Sequence, residues 1–137
     1  MAEDGRKRYS GSCLCGAVRF EAVGLKDIWC CHCRQCRSIT GHYLAAAAAK
    51  RENVTVDGDV SWTTVSENAA YGFCPQCKSL LFWRHAERPT LSVAPGNLDD
   101  AVGLDVKGHV FIEEKGEYYE ITDGLPQYCG YREDDLR

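Results

Sequence analysis

The chain has 137 residues, 45% hydrophobic and 26% charged, with sixteen basic against twenty acidic side chains and a formal net charge of −4. Length and composition fit one globular domain, residues 1–137 with a core near 9–128, and exclude a disordered or fibrous chain. Basic residues are scattered apart from Arg6-Lys7-Arg8, which argues against nucleic acid as a partner, and the apolar run at Leu44–Ala49 is far below the ~20 residues that span a bilayer, which argues against a membrane.

The opening MAEDGRKRYS lacks the apolar segment of a secretion signal, so a cytoplasmic location is expected. Thiols stay reduced there, and nine cysteines then point to metal binding or thiol chemistry rather than to disulfides.

In chain order, GSCLCGA carries Cys13 and Cys15 between Gly11 and Gly16, and a strand is expected over Ala17–Ala22. CHCRQC follows at 31–36, with a turn or two of helix starting near Arg34. The run YLAAAAAKREN from Tyr43 is helical by alanine propensity, but an alanine-rich strand packed closely on another sheet has the same composition, and both readings stay open. Further strands are expected over Val54–Val56, Val60–Val65, Leu80–Trp83, Thr90–Val93 and Val110–Glu113, with FCPQCKS carrying Cys74 and Cys77 between them. Gly16, Gly24, Gly58, Gly96, Gly108 and Gly116 punctuate these segments, and the final REDDLR reads as a solvated tail. The pattern predicts a mainly β chain of small antiparallel sheets with a few short helical turns.

Seven cysteines fall into groups of two, three and two. A structural zinc takes four ligands in a tetrahedron, and two cysteine pairs on two separate turns supply them: Cys13 with Cys15, and Cys74 with Cys77. In the second pair Pro75 stiffens a knuckle whose backbone N–H groups point at the sulfurs. Cys31, Cys33 and Cys36 remain, and three protein ligands with one open position is the pattern of a catalytic zinc. Two zinc ions per chain are expected. In an extended segment Cys31 and Cys33 share a face while Cys30 and His32 point away, and a helix starting at Arg34 places Cys36 in its first turn, where the helix dipole favours thiolate. A fourth ligand from Cys30, His32, His42 or Cys129 would close this second site and make it structural; facing disfavours the first two, and the sequence leaves the others open.

The segments GSCLCGAVRFEA, CHCRQCRSITGHY, FCPQCKSLLFW, PGNLDD and HVFIEEKGEYYEITDGLPQY, in that order, resemble the glutathione-dependent formaldehyde-activating enzyme family, which includes S-(hydroxymethyl)glutathione synthase-like and centromere protein V-like proteins. The resemblance implies a zinc-ribbon-related β-tent fold, a structural zinc on Cys13, Cys15, Cys74 and Cys77, and a second zinc on Cys31, Cys33 and Cys36. Two departures stand out. Lys78 and Leu80 occupy positions where the family usually has glycine and proline, which alters turn strain more than ligand chemistry, and Glu117-Tyr118-Tyr119 replaces a common proline and tryptophan at an expected pocket wall.

The resemblance implies a carbon–sulfur lyase whose partners are a thiol such as glutathione and an aldehyde, joined as S-hydroxymethylglutathione. Three thiolates on a dication leave a site of charge −1, so the metal is expected to serve as template and thiolate generator rather than to polarise the aldehyde. His42 is a candidate proton donor by nearness in sequence, and Arg34 and Arg37 are candidates to pair with the carboxylates of glutathione. His85 and His109 read as ordinary residues. The alternatives are a carbon–sulfur lyase acting on another small molecule and a non-enzymatic zinc-stabilised scaffold.

Overall fold

In the computed structural model, residues 6–131 are described; the expected tail at 132–137 lies outside them. Three strands, β1 (Arg8–Ser12), β2 (Arg19–Val23) and β5 (Val54–Asp57), form a small antiparallel sheet in the order β1-β2-β5. The second sheet has seven strands: β10 (Val106–Val110), β3 (Ile28–Cys31), β4 (Leu44–Lys50), β9 (Thr90–Val93), β8 (Leu80–His85), β7 (Ala69–Phe73) and β6 (Ser61–Thr64), in that order. The fold is mainly β, as expected, with one correction: β10 runs parallel to β3. A parallel neighbour needs a long connection, and β3 and β10 are separated in the chain by all the strands from β4 to β9.

Strands β1, β3 and β7 were not signalled by composition. Strand β7 reads AAYGF, with few branched or aromatic residues, yet four of its five residues are buried because both faces are covered. The strand expected over Val110–Glu113 instead ends at Val110, because Phe111 takes a left-handed φ of 56° and Ile112–Glu114 form a 3₁₀ turn. Gly108 lies inside β10 rather than at a boundary; a side chain there would sit 2.5 Å from the Trp29 ring and 2.6 Å from the Pro126 carbonyl oxygen.

The alanine run is strand β4, not helix. Ala47 and Ala49 are buried on one face, and Leu44, Ala46 and Ala48 line a cleft on the other. Alternation across a pleated sheet decides the matter, since helix propensity is a weak prior that packing overrides. Among the described residues the single α-helix, α1 (Arg34–Thr40), matches expectation and ends in Gly41, whose φ of 86° and N–H to the Arg37 carbonyl form a left-handed cap.

The core lies between the two sheets. Phe20 of β2 meets Phe82 of β8 edge to face at 5.3 Å, and Val18, Leu81, Val93, Cys13 and Cys74 are packed with them. The register of β7 and β8 slips between Gly72 and Phe73, so that Leu81 and Phe82 are both fully buried while Trp83 lines the cleft. Among the described residues no helix is long and apolar enough to cross a membrane.

Candidate metal centres and the cleft

Cys13 and Cys15 sit in the turn between β1 and β2, and Cys74 and Cys77 in the turn between β7 and β8, so this group of four joins the two sheets. Their sulfurs lie within 4.8 Å of one another. Cys15 Sγ is 3.7 Å from Cys13 Sγ and 3.8 Å from Cys74 Sγ. Four sulfurs at ~2.3 Å from a common centre stand ~3.8 Å apart, so the spacing fits one tetrahedral ion. The knuckle behaves as anticipated: the N–H groups of Gln76 and Cys77 both donate to Cys74 Sγ at 3.4 Å, and the Val18 N–H donates to Cys13 Sγ at 3.3 Å. Contacts from the Ser79 hydroxyl and backbone N–H hold the Cys77 thiol down to about 5. Gly16, at φ 80°, makes the bend in the first turn.

Cys31 ends β3, Cys33 caps α1 and Cys36 lies in its first turn; these three sulfurs also lie within 4.8 Å of one another. Among the described residues no fourth His, Cys, Asp or Glu joins them. Cys30 and His32 are buried on the opposite face of the segment, as the alternation predicts. His42 is exposed and bonds Tyr118, and Cys129 is exposed.

The charge sits differently from expectation. It is Cys33 whose sulfur accepts from the Cys36 N–H, at 3.4 Å, and so faces the helix start. Hydrogen bonds from Cys31, then Cys36, together with backbone N–H groups hold the Cys33 thiol down to about 2. The Cys31 thiol is pushed far up because it donates to Cys33 and then because it is crowded by Cys36 and by burial. The bond to Cys31 that lowers Cys36 is outweighed by Cys33 and by burial, which leave it up near 12. Three thiolates this close require a dication, so the donor set fits a thiophilic metal. Tyr71, fully buried, places its hydroxyl 3.0 Å from Cys36 Sγ.

The three sulfurs line a cleft of about 1000 Å³, whereas none of the four cysteines of the other group does. Its floor is the face of the large sheet, where Ala46, Ala48, Ser92 and Ala69 present small side chains from β4, β9 and β7. Trp29, Trp83, Phe111 and Tyr131 form aromatic walls. Phe111 holds its left-handed conformation here, edge to face with Tyr131 at 4.6 Å. Burial pushes the Tyr131 hydroxyl up, Arg88 pulls it down, and Cys31, Cys33 and Cys36 push it up again.

Of the candidates beyond the cysteines, Arg34 lines the cleft, with its Nε donating to Ser38 Oγ at 3.0 Å. Arg37 and His42 do not line it, and neither do Glu117, Tyr118 and Tyr119, so the residues that depart from the family at 117–119 lie outside this cleft rather than in its wall. Instead Tyr119 bonds His32, whose Nε2 lies 2.9 Å from His109 Nδ1, and His109 Nε2 lies 2.7 Å from Asp123 Oδ2. One proton order satisfies the chain: Tyr119 donates to His32, His32 to His109 and His109 to the carboxylate. His109 therefore tethers β10 to the cysteine-bearing strand from behind. Tyr71, Trp83, Arg88 and Tyr131 went unrecognised in the sequence, because only folding brings residues so far apart to one cleft.

Fold and site define a mainly β protein with two cysteine groups able to hold metal ions, one on turns that join the two sheets and one facing a cleft. The chain belongs to the family described as "Glutathione-dependent formaldehyde-activating enzyme", which it matches over residues 8–114. It is 28% identical over 79 residues to an uncharacterized lyase of Schizosaccharomyces pombe, a match covering 56% of this chain and 58% of that protein's length. A crystal structure of a Rhodobacter sphaeroides protein superimposes with a TM-score of 0.60 at 23% identity, covering 74% of this chain and 99% of that one, and shares the fold.

Proposed function

We propose that the chain is a zinc-dependent carbon–sulfur lyase that joins a small-molecule thiol such as glutathione to an aldehyde such as formaldehyde, and cleaves the adduct in reverse. One observation carries the reading: the seven clustered thiols divide into four on turns that join the two sheets, away from the cleft, and three that line the cleft. Cys13, Cys15, Cys74 and Cys77 would hold a structural zinc, and Cys31, Cys33 and Cys36 a catalytic one. When bound by three cysteines, zinc offers a free position and deprotonates a thiol placed there near neutral pH.

The chain's own residues do the rest. The Tyr71 hydroxyl and the N–H groups at the start of α1 donate to Cys36 and Cys33, which draws charge off these sulfurs and keeps them as ligands. A substrate thiolate that accepts no such bonds is then the strongest nucleophile in the cleft. It attacks the carbonyl carbon, a C–S bond forms, and the C=O π pair moves to oxygen, which takes up one proton to give S-hydroxymethyl product. The reverse step removes that proton and breaks the C–S bond.

The cleft volume, about 1000 Å³, stands at the upper end for small-ligand sites. It favours a second reading, the same chemistry on a bulkier electrophile than formaldehyde.

Native mass spectrometry with and without glutathione tests the proposal. Wild type should carry two zinc ions and retain the thiol; Cys33→Ser should lose one zinc and the thiol while keeping the fold, and Cys74→Ser should compromise folding. Equal destabilisation of both variants, with no thiol bound by wild type, would favour a scaffold.

A further inference from the structure

Arg88 lies in the turn between β8 and β9, where its backbone N–H donates to the His85 carbonyl at 3.0 Å. Its guanidinium stands 4.1 Å from the centre of the Tyr131 ring and 5.6 Å from that of Trp83, and the residue is half-buried in the cleft wall. Among the described residues no carboxylate pairs with it. Arg84 likewise lies over an aromatic ring, that of Trp62 at 3.8 Å, but it does not line the cleft. Arg8 pairs with Glu21, Lys107 with Asp27, and Arg51 donates to two backbone carbonyls. The two acids of the cleft are also engaged, Asp27 by Lys107 and Glu114 by the Arg34 N–H at 3.1 Å.

A guanidinium sandwiched against aromatic faces keeps its N–H edge free while its orientation is set, and that edge matches a carboxylate with two parallel hydrogen bonds. Arg88, Tyr131 and the three sulfurs all line the one cleft. A ligand with its sulfur at the cysteines therefore meets Arg88 along the same wall.

We infer that Arg88, held by Trp83 and Tyr131, is an anchoring subsite for a carboxylate and selects thiols that carry one at a distance from the sulfur. The inference rests on the proposed thiol-binding role of Cys31, Cys33 and Cys36. It explains how the cleft would choose among thiols that the metal position alone treats alike. A lysine in its place retains the charge but neither stacks as well nor offers the paired edge, so the selection should depend on arginine itself.

The test measures binding of three probes to the zinc-loaded protein by calorimetry: glutathione, its diethyl ester, and S-methylglutathione. Wild type should bind glutathione at least about 10-fold more tightly than the ester, the range of a charge-assisted hydrogen bond. Arg88→Gln should weaken glutathione about 10- to 100-fold, leave the ester unchanged, and keep the zinc count and melting temperature of wild type; Arg88→Lys should fall between. Equal binding of acid and ester by wild type, or an Arg88→Gln variant that still prefers the acid, overturns the anchor while leaving the thiol reading intact. S-methylglutathione bound as tightly as glutathione, with that binding lost in Arg88→Gln, would keep the anchor and overturn sulfur capture at the cysteines. No binding of any probe by wild type overturns both.

Discussion

Lys78 adopts φ 66° in the turn that follows Cys74 and Cys77, at the position where the family usually has glycine. A left-handed L-residue costs about 1 kcal/mol or more, and the exposed bond from Lys78 Nζ to the Pro75 carbonyl recovers little of it. Lys78→Gly should therefore stabilise the protein by up to about 0.5 kcal/mol once the entropy glycine adds to the unfolded chain is subtracted, and a thermal melt should rise by up to about 2 °C with unchanged metal content. His32 gives a second prediction at this scale. Burial first, and then the neighbouring His109, holds it down to about 4, against an ordinary value of 6.5. Its folded value lies below its unfolded one, so the neutral form's contribution is fully present above about pH 6.5 and is lost as pH falls towards 4. NMR of the imidazole should show no titration of His32 between pH 8 and 5; a midpoint near 6.5 would mean that the buried chain from Tyr119 to Asp123 does not hold it neutral.

At the scale of elements, strand β4 carries the strongest contrast. Its two faces are both alanine, yet one packs into the protein and the other floors the cleft. Ala47→Leu inserts three carbons at a site with no exposed surface and should cost about 1–3 kcal/mol of stability in a denaturant titration. Ala46→Phe projects into the cleft instead. It should leave stability within about 1 kcal/mol and the zinc count unchanged, but weaken glutathione at least about 10-fold by calorimetry. Opposite effects from neighbouring alanines would separate a ligand cleft from a packing defect. The same logic explains why the element was ambiguous in the sequence. Alanine favours helix locally, and only the pairing with β3 and β9 makes it a strand.

For the whole molecule, the four-cysteine group clamps two sheets across a chain separation of about sixty residues, while the other group sits on one strand and the helix beside it. If the protein carries the two zinc ions proposed above, graded chelation should remove the one at the three-cysteine group first with little change in far-UV circular dichroism, and the one that joins the sheets later, together with cooperative unfolding. Simultaneous loss of both metals would show that the two groups are equally structural. Spacing alone determined the partition of Cys13, Cys15, Cys74 and Cys77 from Cys31, Cys33 and Cys36, because ligand turns are local devices whose geometry is set by adjacent residues. Alternation along residues 30–33 likewise determined that Cys30 and His32 turn away, since a pleated segment leaves no other choice. The parallel β10, the inward Tyr71 and the sandwiched Arg88 were decided only by tertiary structure. Each depends on contacts between strands distant in the chain, and no local pattern encodes which side chains will share a wall once the sheets have closed.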